Sequence, residues 1–180
     1  MATEARKAID RIEGFLDGLA AAISWVWIAL IAVIGLAVVL RYLFGQGRVE
    51  LEELQWHLYA VGFLTGIVAC VVHDRHVRVD VLRERMRPRT RDWIDFYGLL
   101  LFQLPLVALV LWSAGPFVAE SFQVGERSAA PGGLPFRWLL KAFLPLAFVA
   151  LGAASLARLA RVATRLFASA DDQAHPGERP

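Results

Sequence analysis

Four histidines and one cysteine are the side chains of this 180-residue chain best suited to metal, redox or covalent chemistry. His73, Asp74, His76 and Asp80 fall within one short stretch, and His-x-x-His with nearby carboxylates offers the donors a divalent cation takes. Arg75 and Arg78 share that stretch, and their fixed positive charge opposes a cation. No metal site is expected. His57 is the only histidine inside a long uncharged run. Bis-histidine haem needs two imidazoles at one depth on facing helices. His73 lies 16 residues further along the same segment, about 24 Å away at about 1.5 Å per residue. His57 is therefore expected to be a hydrogen-bonding residue near a membrane interface. Cys70 is solitary and reads as a small buried hydrophobe. There is no phosphate-cradling glycine loop, nucleophile elbow or Cys-x-x-Cys pair. The expectation is no cofactor and no catalysis, and the elements holding these residues must explain the chain instead.

Those elements are apolar spans. Hydrophobic residues make up 57% of the chain and charged residues 20%, more apolar than soluble domains, which run at roughly 45–50%. Uncharged runs of 23, 19 and 24 residues lie between Asp17 and Arg41, Glu53 and His73, and Asp95 and Glu120. A fourth run, Ala142 to Ala157, extends outward to Trp138 if Lys141 snorkels. A membrane helix needs about 20 mostly apolar residues. The fold class expected is an all-α integral membrane protein with four transmembrane helices, at about 18–40, 54–72, 96–119 and 138–157. Short amphipathic cytoplasmic segments accompany them. Residues 1–168 would form the membrane domain and 169–180 a disordered cytoplasmic tail. The first span is too long for a secretory signal and is followed by Arg41-Tyr42-Leu43-Phe44, so it is expected to remain as an anchor.

Charge placement gives the orientation. Fourteen of the 19 Lys and Arg residues fall in the N-terminal segment, the loop after span two and the C-terminal segment. With four spans these regions share one side, and the positive-inside rule places both termini in the cytoplasm. The basic residues border the spans, so the net charge of +2 points to membrane lipid and away from nucleic acid.

Local patterns add detail. Residues 4–16 read as an amphipathic helix on the inner surface, with Ile9, Ile12 and Leu16 on one face. Glu50, Glu52 and Glu53 open span two, and Gly62 and Gly66 form a small-xxx-small pair for close helix approach. Thr90 is a candidate cap for span three, which Pro105 should kink. Trp25, Trp27 and Trp112 lie deep in the spans and are expected to pack on other helices. Arg158, Arg161 and Arg165 recur at helical spacing and suit contact with anionic lipid. The span centres carry no Asp, Glu, Lys or Arg, the groups that line ion and substrate paths. This argues for an accessory subunit and against a free-standing pump.

The order of these features resembles a known family. Arg41-Tyr42-Leu43-Phe44 closes span one, and Glu52-Glu53-Leu54 with Trp56 opens span two. His76-Val77-Arg78-Val79-Asp80-Val81-Leu82 follows span two. Gly133-Leu134-Pro135-Phe136-Arg137-Trp138, Lys141 and Pro145 then lead into span four. Over roughly residues 10–165 the chain resembles the small permease (Q) subunit, DctQ-like, of the tripartite ATP-independent periplasmic (TRAP) transporters. It departs at Phe63-Leu64-Thr65-Gly66, where the family more often has Phe-Leu-Gly. The resemblance implies a bacterial inner-membrane partner of a large multi-span permease (M) subunit, with a periplasmic solute-binding protein (P). Uptake of a carboxylate solute would be driven by sodium, with this chain as scaffold. Arg41, Glu52, Glu53, Gly62, Gly66, His76, Arg78, Asp80, Pro135 and Trp138 are the candidate partner contacts. Two alternatives share the four-span plan: the small membrane subunit of a tripartite tricarboxylate transporter, and a four-helix membrane cytochrome.

Overall fold

The computed structural model describes residues 2–73 and 86–174. Helix α1 (Ala2–Ile23) is followed by α2 (Val26–Phe44), α3 (Val49–Val72) and α4 (Pro88–Gly98). A π-helical segment, Leu99–Gln103, joins α4 to α5 (Leu104–Gln123), and α6 (Arg137–Ala174) closes the order. The described residues contain no strand. Among the described residues, four helical stretches are long and apolar enough to cross a membrane: Asp10–Phe44, Val49–Val72, Pro88–Gln123 and Arg137–Phe167. The fold is all-α, as the sequence predicts.

The N-terminal amphipathic segment is the first half of α1 and not a separate helix. Leu16 is buried in the core with Val68, Val71, Val107, Leu151 and Ala154. The ladder breaks later, at Ser24 and Trp25, where the Ser24 hydroxyl donates back to the Ala21 carbonyl at 2.6 Å. Such back-bonding competes with the helical ladder and bends it.

Small residues draw α5 and α6 together. Ala114, Ala147, Ala154 and Ala157 are buried. A Cβ placed on Gly152 would stand 3.2 Å from the Val107 side chain. Close approach of this kind drives helix association where lipid is as apolar as leucine. By contrast α2 packs mainly on α3 and leaves most of its surface open.

Pro105 shapes span three, though by a different device from the expected kink alone. A proline lacks an N–H and its ring crowds the carbonyl four residues back. Here the turn before it widens, and the Leu104 N–H bonds to the Leu99 carbonyl in π spacing. The Thr90 cap is corrected: the cap position is Arg87, three residues earlier, with Pro88 in the first turn of α4 and no side-chain cap. Proline suits that position because its missing N–H is one that a helix start leaves unpaired.

Residues 169–174, placed in the tail by the sequence, continue α6 as helical backbone. Residues 175–180 and the segment 74–85, with His76, Arg78 and Asp80, lie outside the described residues.

Candidate partner-facing site at the loop end of the bundle

Two sets of ion pairs mark the two ends of the bundle. One end carries the short α2–α3 loop and the segment 124–136; call it the loop end. Here Glu53, in the first turns of α3, accepts hydrogen bonds from the Ser128 hydroxyl and from the Leu134 N–H at 2.6 Å. The Ser128 N–H bonds the Leu134 carbonyl, and the Arg137 N–H bonds the Glu126 carbonyl. These bonds fold the Pro131-Gly132-Gly133 turn back onto α3. Gly132 has φ +80°, and a side chain on Gly133 would collide with Ser128 and Glu53. Both positions therefore require glycine.

Lys141 does leave the span axis, and its ammonium pairs with Glu126 and sits 4.1 Å from the centroid of the Phe117 ring. The Lys141 ammonium foremost, then the Ser121 hydroxyl, hold the Glu126 carboxyl below its ordinary value, and Arg137 adds to the effect. The Ser121 side chain is buried without a hydrogen bond of good geometry.

The remaining candidates sit around this latch. Arg41 pairs with Glu52, both exposed, across the α2–α3 loop. Trp138 packs edge-on to Phe122, with centroids 5.3 Å apart. Pro135 is exposed and precedes Phe136, whose φ of +66° is the left-handed region that a phenylalanine rarely enters. The His57 ring lies beside this region, with Nδ1 2.6 Å from the Glu53 carbonyl, so Nδ1 carries the proton and donates.

The glycine pair divides. A Cβ on Gly62 would lie 2.8 Å from the Trp27 indole, whereas Gly66 has nothing within 4 Å. Trp27 packs on α3 as expected and meets Tyr59 edge-on at 6.0 Å. Trp25 and Trp112 depart from expectation. They are 70% and 85% exposed.

At the opposite, terminal end the three arginines of α6 correct a second expectation. Arg158 pairs with Asp95 at 3.3 Å, Arg165 with Asp92 at 3.6 Å, and Arg161 with Asp10 and Glu13. His73 meets Asp17 at 2.6 Å. The stripe that spacing assigned to lipid is instead neutralised within the bundle by carboxylates from α1 and α4. Periodicity along α6 showed the stripe but could not show which helices pack against it.

Between the two ends the polar content is slight. The Gln103 amide, in the π segment, donates to the Ser155 hydroxyl at 2.8 Å, and Ser155 donates to the Leu151 carbonyl at 2.6 Å. Among the described residues no three His, Cys, Asp or Glu side chains converge as metal ligands.

This architecture defines a four-span, all-α membrane protein whose charges are gathered at its two ends. The signature of the family "Tripartite ATP-independent periplasmic transporters, DctQ component" matches residues 30–165. The chain belongs to this family and is the small subunit of a TRAP transporter. No curated protein matches it.

Proposed function

We propose that this chain is a scaffold for the large (M) permease in a sodium-driven TRAP transporter that takes up carboxylate solutes delivered by a periplasmic binding protein. It sits in the bacterial inner membrane with both termini cytoplasmic. Residues 1–168 form its membrane domain and 169–180 its cytoplasmic tail. The observation that carries this reading is the uncharged middle of the bundle. The interhelical polar contact seen there among the described residues is the Gln103–Ser155 bond, and a path for carboxylates and sodium would need compensating charge at that depth.

The interface with the large permease draws on Arg41, Glu52, Glu53, Gly66, Pro135 and Trp138, with His76, Arg78 and Asp80 from the inner loop. The close approach at Gly62 is already taken by Trp27, so Gly62 acts inside the chain. Trp25 and Trp112, exposed at mid-span, add outward surface for a protein neighbour.

Proteoliposomes test the role. Solute should accumulate only with this chain, the large permease, the binding protein and a sodium gradient together. Accumulation by this chain alone would refute the scaffold, and full uptake without it would make it dispensable. Alkaline phosphatase fused after Gly47 should be active and after Arg87 inactive. The reverse pattern would overturn the orientation.

A further inference from the structure

A groove runs along the open side of α2 and α3, and its two ends differ in chemistry. At the loop end it is lined by Arg41, Tyr42, Gly47, Arg48, Glu52 and Gln55. Toward mid-span its walls become Leu30, Ile34, Ala37 and Val38 on α2, facing Trp56 and Tyr59 on α3. It stops where Trp27 closes onto Gly62.

Length identifies the class of occupant. From Leu30 to Arg41 the helix advances about 16 Å at about 1.5 Å per residue. That is close to half of a hydrocarbon core about 30 Å thick. A partner helix would need one unbroken groove through both halves, and the Trp27–Gly62 contact divides this one from the hollow beyond it at Ala20, Ile23, Gly66 and Ala69. An acyl chain needs one leaflet only. The head of the groove holds two guanidiniums against one carboxylate, Glu52, which Arg41 already engages. The balance is positive, and guanidinium is the side chain best matched to phosphate oxygens.

We propose that this groove binds an anionic phospholipid, its phosphate at Arg41 and Arg48 and one acyl chain along Leu30, Ile34 and Val38. Arg41 has room for both partners, since its pairing with Glu52 leaves it more than half exposed. The Trp56 and Tyr59 rings border the chain, and amphipathic rings of this kind prefer the interface region of a bilayer. This site stands independently of the transport reading.

The test uses the full chain in nanodiscs of equal phosphatidylglycerol and phosphatidylcholine, released into a native mass spectrometer. Phosphatidylglycerol should be retained in preference. Arg48→Gln should lower its retention about tenfold, the loss of one charge-assisted contact. Ala37→Trp fills the groove with both guanidiniums in place and should lower retention likewise. Equal retention of the two lipids, or unchanged retention in both variants, overturns the proposal. So does displacement by free glycerol phosphate, which would mean that the acyl groove contributes nothing. A photoreactive residue at Val38 in cells should yield a lipid adduct. An adduct to a second copy of this chain or to another protein would give the groove to that partner instead.

Discussion

Glu53 on α3 and the backbone N–H of Leu134, 81 residues further along the chain, lie 2.6 Å apart. With the Ser128 hydroxyl on the same carboxylate, this makes one side chain the anchor of the whole 124–136 segment. The anchor works because Gly132 and Gly133 let the backbone turn and approach without a clashing Cβ. A loop fixed in this way presents Pro135, Phe136 and Trp138 in a set geometry to whatever lies beyond.

Glu53→Ala should therefore free the loop without unfolding the bundle. Arg127 is exposed within it and offers a tryptic site. Cleavage there should accelerate several-fold in Glu53→Ala and in Ser128→Ala, while helix content by circular dichroism stays the same. Unchanged cleavage in both would show that the turn holds without its carboxylate.

The two glycines of α3 should respond with opposite sign. Gly62→Ala pushes a methyl into the Trp27 indole and the Val26 side chain, which stand 2.8 and 3.0 Å from the added carbon. Overpacking of this kind costs about 1–3 kcal/mol. Gly66→Ala meets nothing within 4 Å and should gain up to about 1 kcal/mol from helix propensity. Melting midpoints of the purified variants in detergent decide it. Equal shifts would remove the special status of Gly62.

The spans were legible because uncharged length is a direct physical requirement of the bilayer. The family resemblance was legible from the order of short motifs at their ends. What escaped was pairing. Arg158, Arg161 and Arg165 announce a stripe, but Asp95, Asp10, Glu13 and Asp92 lie 63 to 151 positions away and reach it only through the packing of α1 and α4 on α6. Gly62 and Gly66 look equivalent in the sequence. They differ because the helix break at Ser24 and Trp25 sets where α2 meets α3. Pro105 signalled an irregularity and not its form, since a widened turn and a simple kink both relieve the same ring clash.

Acid should weaken the Glu126–Lys141 tie. The folded-state pKa of Glu126 lies below its ordinary value, chiefly because Lys141 stabilises the charged form. A depressed carboxylate contributes stability that is present above its unfolded pKa and lost as the pH falls through the folded one. Glu126→Gln resembles the protonated side chain. The melting midpoint of the wild type should exceed that of Glu126→Gln at neutral pH, with the gap closing below the ordinary carboxylate range. A gap that persisted in acid would mean the effect comes from packing and not from charge.

At the terminal end, Asp95 and Arg158 form a largely buried ion pair, each side chain 13% accessible, with oxygen and nitrogen 3.3 Å apart. Removing one member of a buried pair leaves the other charge desolvated, at a cost of about 3–5 kcal/mol for full burial. Partial exposure here reduces that to about 2 kcal/mol for Asp95→Asn. Aromatic packing also links these elements, since Trp93 and Phe96 of α4 meet Phe167 of α6 at 6.3 and 6.4 Å. Loss of the pair should thus loosen α4 from α6 without dissolving the bundle. The exchange variant, Asp95→Arg with Arg158→Asp, restores opposite charges and should recover at least half of the lost melting temperature. If the exchange is as unstable as the single variant, the pair is incidental, and the aromatic cluster with the Arg165–Asp92 pair joins α4 to α6.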